Sequence, residues 1–148
     1  MILIHVPGSP GRTAGRAAVV AATGFIIVAG FQLLLALGIP WGRAAWGGGQ
    51  ATLTPELRVA SSVSMIIFIS AAFVVLGRAG YWGMRFSGVF RVGTWLLAVA
   101  LGLGAIMNLA SSSAWERFMW APVALLLALL SFVVARGRGE ERGIGIDR

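Results

Sequence analysis

The sequence predicts an all-α fold, a four-transmembrane-helix bundle with both the N and C termini in the cytoplasm. Of the 148 residues, 58% are hydrophobic and 11% are charged, whereas soluble domains are about one quarter charged. Four charge-free runs are separated by short polar segments, and each is long enough for the roughly 20-residue helix that crosses a bilayer. The twelve basic residues are all Arg and lie between or beyond these runs.

The first span is predicted at about 17–38, because no charge occurs from Ala17 to Gly42. This run exceeds the ~7–15-residue core of a cleavable signal peptide, so we expect the mature protein to retain it. The preceding residues 1–16 are polar and interrupted by prolines and glycines, which predicts a flexible tail.

The second span is predicted at about 57–77. Thr54, Pro55 and Glu56 precede it and supply an N-cap hydroxyl, a proline at the first helical position and an acid in the first turn. Gly77 and Arg78 follow the apolar run and mark its end.

The third and fourth spans are predicted at about 92–110 and 114–135, which completes a single transmembrane domain over 17–135. Ser113 and Glu116 have the spacing of a capping box, in which both side chains satisfy free amides at a helix start. Pro122 predicts a kink two turns into the fourth span. The polar, glycine-rich segment 136–148 is predicted to be a flexible tail.

Arginine placement predicts the orientation. Nine of the twelve arginines lie in the two tails and in the loop between the second and third spans, and three lie on the other side. The positive-inside rule places the arginine-rich side in the cytoplasm. The loops 39–57 and 110–117 then face outward, as in a multi-pass protein of the cell inner (plasma) membrane.

Composition excludes several kinds of chemistry. The chain has no Cys and a single His, His5, which excludes thiol catalysis, cysteine-ligated metals and bis-His haem ligation within the chain. We therefore expect no cofactor, no metal site and no catalytic residues. The arginines form no stripe with interleaved aromatic residues, so nucleic acid is not an expected partner. The expected partners are the lipid bilayer and either a second copy of the chain or another membrane protein.

Small residues predict how the helices pack. In membranes, close backbone approach at small residues drives helix association. One helical face of the third span and one of the fourth carry small or polar residues, and we expect these faces to pack either within the bundle or across an oligomer seam. The residues are Thr94, Ala98, Gly102, Ala105, Asn108 and Ser112 in the third span, and Ala121, Ala124, Ala128, Ser131 and Ala135 in the fourth. The intramembrane polar residues Gln32 and Asn108 are predicted to point inward, as interhelical hydrogen-bonding groups rather than as a polar pathway.

The two outward segments form a candidate ligand-binding or partner-binding rim. They are dense in Gly and Trp, and the rim comprises Trp41, Arg43, Trp46, Gln50, Arg58, Glu116, Arg117 and Trp120. One interpretation is a pocket for a small amphipathic ligand, a lipid headgroup or a partner segment, with Arg58 and Arg117 available for an anion. The other is an aromatic belt, a helix cap at Glu116 and a Glu–Arg pair that joins the loops. The second interpretation is favoured, because belts and caps occur in membrane proteins of any function.

The same segments resemble an uncharacterised family of small bacterial four-helix integral membrane proteins. The resemblance covers most of residues 17–135 and is carried by Gly38-x-Pro40-Trp41-Gly42, Trp46-Gly47-Gly48, Leu57-Arg58, Asn108 and Glu116-Arg117-x-x-Trp120-Ala121-Pro122. The family often has Thr-Pro-Ser where this chain has Ser111-Ser112-Ser113, so this turn is expected to differ in stiffness. The resemblance implies four spans and an outward-facing motif cluster, and it supplies no activity.

The preferred functional hypothesis is a non-enzymatic binding or interaction protein with an outward-facing Trp/Arg/Glu rim. A first alternative is a subunit of an oligomeric small-molecule or ion transporter. None of the four charge-free runs contains an Asp or Glu, which argues against the proton coupling of small four-helix exporters but not against a passive pore. A second alternative is a membrane enzyme that uses Glu116 at the outer face, where Glu56 is the only other acid.

Overall fold

A computed structural model of the protein describes residues 11–82 and 87–137. Within these ranges the fold is all-α, and four helical segments are long and apolar enough to span a membrane, as in a multi-pass membrane protein. The predicted four-helix fold is therefore confirmed. The α-helices are α1 (Arg12–Ala36), α2 (Pro55–Arg78), α3 (Ser87–Ala110) and α4 (Ala121–Arg136), and a π-helical turn over Glu116–Trp120 precedes α4.

The helices extend beyond the predicted spans at the arginine-bearing ends. Helix α1 begins at Arg12, so residues 12–16, predicted as part of a flexible tail, are helical. Helix α3 begins at Ser87 rather than near 92. Charge marks where hydrocarbon ends but does not interrupt backbone hydrogen bonding, so a helix continues past the apolar run. The remaining parts of both predicted tails, 1–10 and 138–148, lie outside the described residues.

The four helices alternate in direction along the chain. Helix α1 packs mainly on α2, and α3 packs mainly on α4, while the contacts of α1 with α4 and of α2 with α3 close the bundle. We call the end at which α1 and α3 finish the Glu116 end. The opposite end is called the arginine-rich end and carries Arg12, Arg16, Arg78, Arg91 and Arg136.

The core lies between α1, α2 and α4 and consists largely of small residues. Ala18 and Ala21 are fully buried, and an added Cβ at Gly24 would come within 2.8 Å of a Leu127 methyl group. Such close approach is how helices associate in lipid, where no hydrophobic driving force acts between them. The small-residue faces predicted for the third and fourth spans pack inside this one chain. Their buried residues are Thr94, Ala105, Ala121, Ala128, Ser131 and Ala135.

Large apolar side chains cover the outside of the bundle. Ile27, Leu96 and Met107 are each more than 60% exposed, and many other large apolar side chains of the four helices are exposed as well. A water-soluble protein does not expose apolar surface to this extent. The exposed faces therefore suit contact with hydrocarbon.

The two predicted helix starts have different outcomes. Thr54 caps α2 as predicted, since its hydroxyl oxygen accepts a hydrogen bond from the Leu57 amide at 3.5 Å. The predicted capping box at Ser113 and Glu116 is wrong. The Ser113 amide donates instead to the Ser111 hydroxyl oxygen at 3.1 Å, which is closer in the turn and leaves the Glu116 carboxylate to bind elsewhere.

Where the sequence predicts a kink at Pro122, the structure has a π-helical turn. The π-helical turn over Glu116–Trp120 ends just before the proline, which occupies the first turn of α4. A proline has no amide hydrogen and its ring crowds the preceding turn, so an inserted residue relieves the conflict. The turn also rotates Glu116 and Trp120 relative to a regular helix.

Candidate functional site

The candidate site is built on the glycine-rich loop between α1 and α2. Two short 3₁₀ turns, Gly42–Ala44 and Trp46–Gly48, shape this loop. The Gly42 amide donates to the Ala51 carbonyl at 2.8 Å, and a Cβ at Gly42 would lie 2.6 Å from the Gln50 carbonyl oxygen. A residue with a side chain cannot occupy this position without moving the backbone, so glycine allows the loop to close on itself.

Glu116 joins this loop to the end of α3. Its Oε1 atom accepts a hydrogen bond from the Gly47 amide at 2.6 Å, and its Oε2 atom accepts one from the Ser111 hydroxyl at 2.5 Å. Arg117 donates to the Ser111 carbonyl at 2.7 Å. The acid and the arginine therefore each bind Ser111, rather than forming the Glu–Arg pair expected from the sequence.

Two tryptophans attach the same loop to α2 and α4. The indole N–H of Trp46 donates to the hydroxyl oxygen of Ser61 at 3.0 Å, and Ser61 is fully buried. The indole N–H of Trp120 donates to the Ala44 carbonyl. The Trp120 ring also packs against Phe31, with 4.8 Å between ring centroids. The loop is therefore held at several points across the Glu116 end.

A cavity of about 290 Å³ lies beneath the loop. Its wall is mostly apolar, with side chains from all four helices, and its polar groups come from Gln32, Asn108 and Glu116. Val28 and Leu127 belong both to this wall and to the buried core, so the cavity borders the core. Concave, mostly apolar sites with a few polar groups are the usual form of small-molecule sites.

Gln32 is the unusual polar group of this cavity. Its side-chain oxygen is buried and has no hydrogen-bond partner among residues 11–82 and 87–137. A buried acceptor without a partner costs about 1–3 kcal/mol. Asn108 contributes an amide to the same cavity from α3. The two predicted intramembrane polar residues thus share one cavity wall.

The structure divides the predicted rim into two groups. Trp46, Glu116 and Trp120 line the cavity together with Gln32 and Asn108. The other rim residues lie outside the cavity wall, and they are Trp41, Arg43, Gln50, Arg58 and Arg117.

The two arginines expected to receive an anion already bind the backbone. Arg58 donates from Nε to the Ala36 carbonyl at 2.8 Å, at the end of α1. Arg117 is held by the Ser111 carbonyl. Each arginine therefore stabilises a chain turn, which is a sufficient structural reason for its presence.

Several groups that hold the loop in place were not identified from the sequence. Phe31 supports Trp120, and Ser61 holds Trp46. The Gly47 amide and the Ala44 carbonyl are backbone groups. Every residue type supplies such groups, so the sequence carries no signal for them.

In the ranges that the structure describes, no group of three or more His, Cys, Asp or Glu side chains could hold a metal ion. Comparison of the chain with protein-family models, curated proteins and solved structures finds no match. The functional argument below therefore starts from the geometry of the cavity.

Proposed function

We propose that the chain is a non-enzymatic, multi-pass protein of the bacterial inner (plasma) membrane that binds a small amphipathic molecule in the cavity beneath the loop. The unpartnered side-chain oxygen of Gln32 carries this proposal. A ligand that donates a hydrogen bond to this oxygen removes the cost of leaving it unpaired. The apolar walls receive the rest of the ligand.

The chemistry of the wall favours an uncharged ligand with a hydroxyl or amide group. Both groups donate and accept, which matches the side-chain amides of Gln32 and Asn108. Most of the remaining wall is hydrocarbon or aromatic, where an unpaired charge is costly. The Glu116 carboxylate is already held by the Gly47 amide and the Ser111 hydroxyl, so Gln32 and Asn108 are the polar groups assigned to the ligand.

The same two hydrogen bonds support a non-enzymatic role. A general acid or base must exchange a proton with a substrate within hydrogen-bonding reach. The Glu116 carboxylate is instead engaged with the Gly47 amide and the Ser111 hydroxyl. A binding function uses Glu116 to hold the loop over the cavity.

The proposed orientation places the Glu116 end outside and both termini in the cytoplasm. Reporter fusions at position 50 are expected to be active outside the cytoplasm, and fusions at position 85 inside it. The opposite pattern would place the cavity on the cytoplasmic side.

The binding proposal is tested with a pair of probes that differ by one hydroxyl group, 4-fluorobenzyl alcohol and 4-fluorotoluene. Binding to the protein in lipid nanodiscs is measured by fluorine NMR, with empty nanodiscs to subtract partitioning into lipid. One neutral hydrogen bond contributes about 1 kcal/mol, so the protein is expected to favour the alcohol by about fivefold.

Gln32→Leu is expected to remove this preference while the protein still binds 4-fluorotoluene. The matched control is Gln50→Leu, at the only other glutamine, which lies outside the cavity wall and should leave the preference intact. Equal binding of the two probes to the unsubstituted protein would refute recognition by Gln32. Loss of the preference in Gln50→Leu would refute the location.

A further inference from the structure

A second concave surface lies at the arginine-rich end, on the outside of the bundle. It is a groove of about 540 Å³ with Arg78 and Arg91 in its wall. The rest of the wall is mainly one side of α3, where Val92, Trp95, Leu96 and Val99 lie. None of these residues takes part in the cavity at the Glu116 end.

Arg78 is fixed at this groove by the end of α4. One guanidinium nitrogen, Nη2, donates to the carbonyl oxygens of Ala135 at 3.2 Å and Gly137 at 2.7 Å. The Nε atom is buried and has no hydrogen-bond partner among the described residues. The Arg78 guanidinium therefore does not use all of its hydrogen-bond donors within the described residues. A nearby anion would stabilise its positive charge.

The positive charge of the groove is not balanced within the described part of the chain. Arg91 shares the groove with Arg78. Arg136 lies 5.3 Å from the centroid of the Phe132 ring, and that ring meets Trp95 edge-on at 5.5 Å. In residues 11–82 and 87–137 the acids are Glu56 and Glu116, both at the opposite end of the bundle.

An apolar track leads away from these charges along α3. Val92, Leu96 and Val99 are 57%, 64% and 58% exposed, and their spacing places them on one helical face. At 1.5 Å per residue, the track covers roughly 10 Å along the helix from Val92 to Val99. It begins directly after Arg91, so a cationic site and a hydrocarbon-facing surface are continuous.

We propose that this groove binds one anionic phospholipid, with the phosphodiester between Arg78 and Arg91 and an acyl chain along Val92, Leu96 and Val99. The proposal rests on the membrane location of the chain and not on the cavity at the Glu116 end. Glu140, Glu141 and Asp147, outside the described residues, could also supply negative charge. A carboxylate would leave the apolar track uncovered, whereas a phospholipid matches both parts of the groove.

The proposal is tested by native mass spectrometry of the full chain released from detergent. Retention of phosphatidylglycerol is compared with that of phosphatidylcholine with the same acyl chains. Basic residues near a membrane surface each contribute an affinity factor of about five for anionic lipid. Arg91→Gln is therefore expected to lower phosphatidylglycerol retention about fivefold and to leave phosphatidylcholine unchanged.

The matched control is Arg16→Gln, which removes the same charge from the same end of the bundle but lies outside the groove. It should retain the lipid as the unsubstituted chain does. An equal loss in Arg16→Gln and Arg91→Gln would show general surface attraction and overturn the site. Arg91→Lys, which keeps the charge, should restore most of the retention.

Val99→Trp tests the acyl part of the site with both arginines present. The larger side chain is expected to fill the track and lower phosphatidylglycerol retention at least threefold, since Val99 faces outward and its replacement leaves the core intact. Unchanged retention would overturn the acyl assignment.

Two further measurements distinguish the occupants. Glycerol phosphate, which is the headgroup without acyl chains, should not displace the lipid at equal concentration, and displacement would indicate a soluble anion site. The triple substitution Glu140→Gln, Glu141→Gln and Asp147→Asn should leave lipid retention unchanged. Increased retention in that variant would identify the chain's own carboxylates as the occupant and overturn the proposal.

Discussion

Replacing Glu116 by alanine should destabilise the protein far more than an ordinary surface substitution. The carboxylate accepts two hydrogen bonds, from the Gly47 amide and the Ser111 hydroxyl. Hydrogen bonds to a charged group contribute roughly 1.5–3 kcal/mol each. Since Glu116 is only partly buried, the lower value applies, and we expect a loss of about 3 kcal/mol in the free energy of unfolding for Glu116→Ala.

The free energy of unfolding is measured by titrating the protein from mild detergent into sodium dodecyl sulfate. Glu56→Ala is the matched control, because Glu56 is an exposed acid in the first turn of α2. Its hydrogen bonds, to its own amide and to Thr54, are at the exposed start of the helix, so Glu56→Ala should lower the free energy of unfolding clearly less than Glu116→Ala.

A double-mutant cycle identifies the partner of the carboxylate. If Glu116 holds Ser111, the effects of Glu116→Ala and Ser111→Ala overlap, and the double variant should be about 1–2 kcal/mol more stable than their sum. The effects of Glu116→Ala and Ser113→Ala should add within about 0.5 kcal/mol. Coupling to Ser113 with additivity at Ser111 would restore the capping box and refute the hydrogen bond between Glu116 and Ser111.

Four further substitutions test the backbone and the loop. Gly48→Ala places a side chain at a φ of 74°, where the new Cβ lies 2.9 Å from the Ser113 hydroxyl oxygen, so about 1–2 kcal/mol of stability should be lost. Gly49→Ala, with a φ of −69° and open space around the new Cβ, should change stability by less than about 0.5 kcal/mol. Gly77→Ala brings a Cβ within 2.7 Å of an aromatic ring and should cost about 1–3 kcal/mol, and the same sodium dodecyl sulfate titration measures all three variants. Trp120→Phe removes the hydrogen bond to the Ala44 carbonyl and should accelerate amide exchange in residues 42–50 about fivefold, as expected for about 1 kcal/mol. Unchanged exchange there would contradict the attachment of the loop to α4.

The helices could be predicted because their signals are local and additive. Each span is a charge-free run, and the start of α2 carries three consecutive residues suited to a helix N-terminus, Thr54, Pro55 and Glu56. The predicted helix boundaries at the arginine-rich end were less accurate. Helix α1 includes Arg12 and Arg16, because lipid contact depends on charge, whereas helix continuation depends on backbone hydrogen bonds.

The role of Glu116 could not be predicted because two partners compete for one side chain. Its spacing from Ser113 suggests a local cap, but the observed partner Gly47 is 69 residues away. The local cap is not formed because the Ser111 hydroxyl already satisfies the Ser113 amide. A local pattern of residue types cannot show that the fold brings the Gly47 amide close to Glu116.

The cavity could not be predicted from the sequence, because its wall combines side chains from all four helices. Gln32 and Asn108 were expected to point inward as hydrogen-bonding groups between helices, which is the usual role of such residues in membranes. The structure leaves the Gln32 oxygen without a partner and places both residues around open space. Sequence spacing gives the face on which a residue lies but not the distance to the opposite helix.

Trp46 explains how one short loop contacts two sides of the cavity mouth. Its φ of 52° lies in the left-handed region, which costs an L-residue about 1–2 kcal/mol. This conformation lets neighbouring groups point in different directions, so the Trp46 indole reaches Ser61 on α2 while the Gly47 amide reaches Glu116.

Lifting Trp46 and Gly47 off the cavity, with Ala44 still held by Trp120, must break both connections but also releases the backbone strain at Trp46. Two hydrogen bonds, one of them to a charged group, contribute roughly 2–4 kcal/mol together. Relief of the left-handed conformation offsets about 1–2 kcal/mol of this amount. The net cost of opening is therefore small compared with that of unfolding a helix, so the loop can admit a ligand to the proposed cavity while the four-helix bundle remains intact.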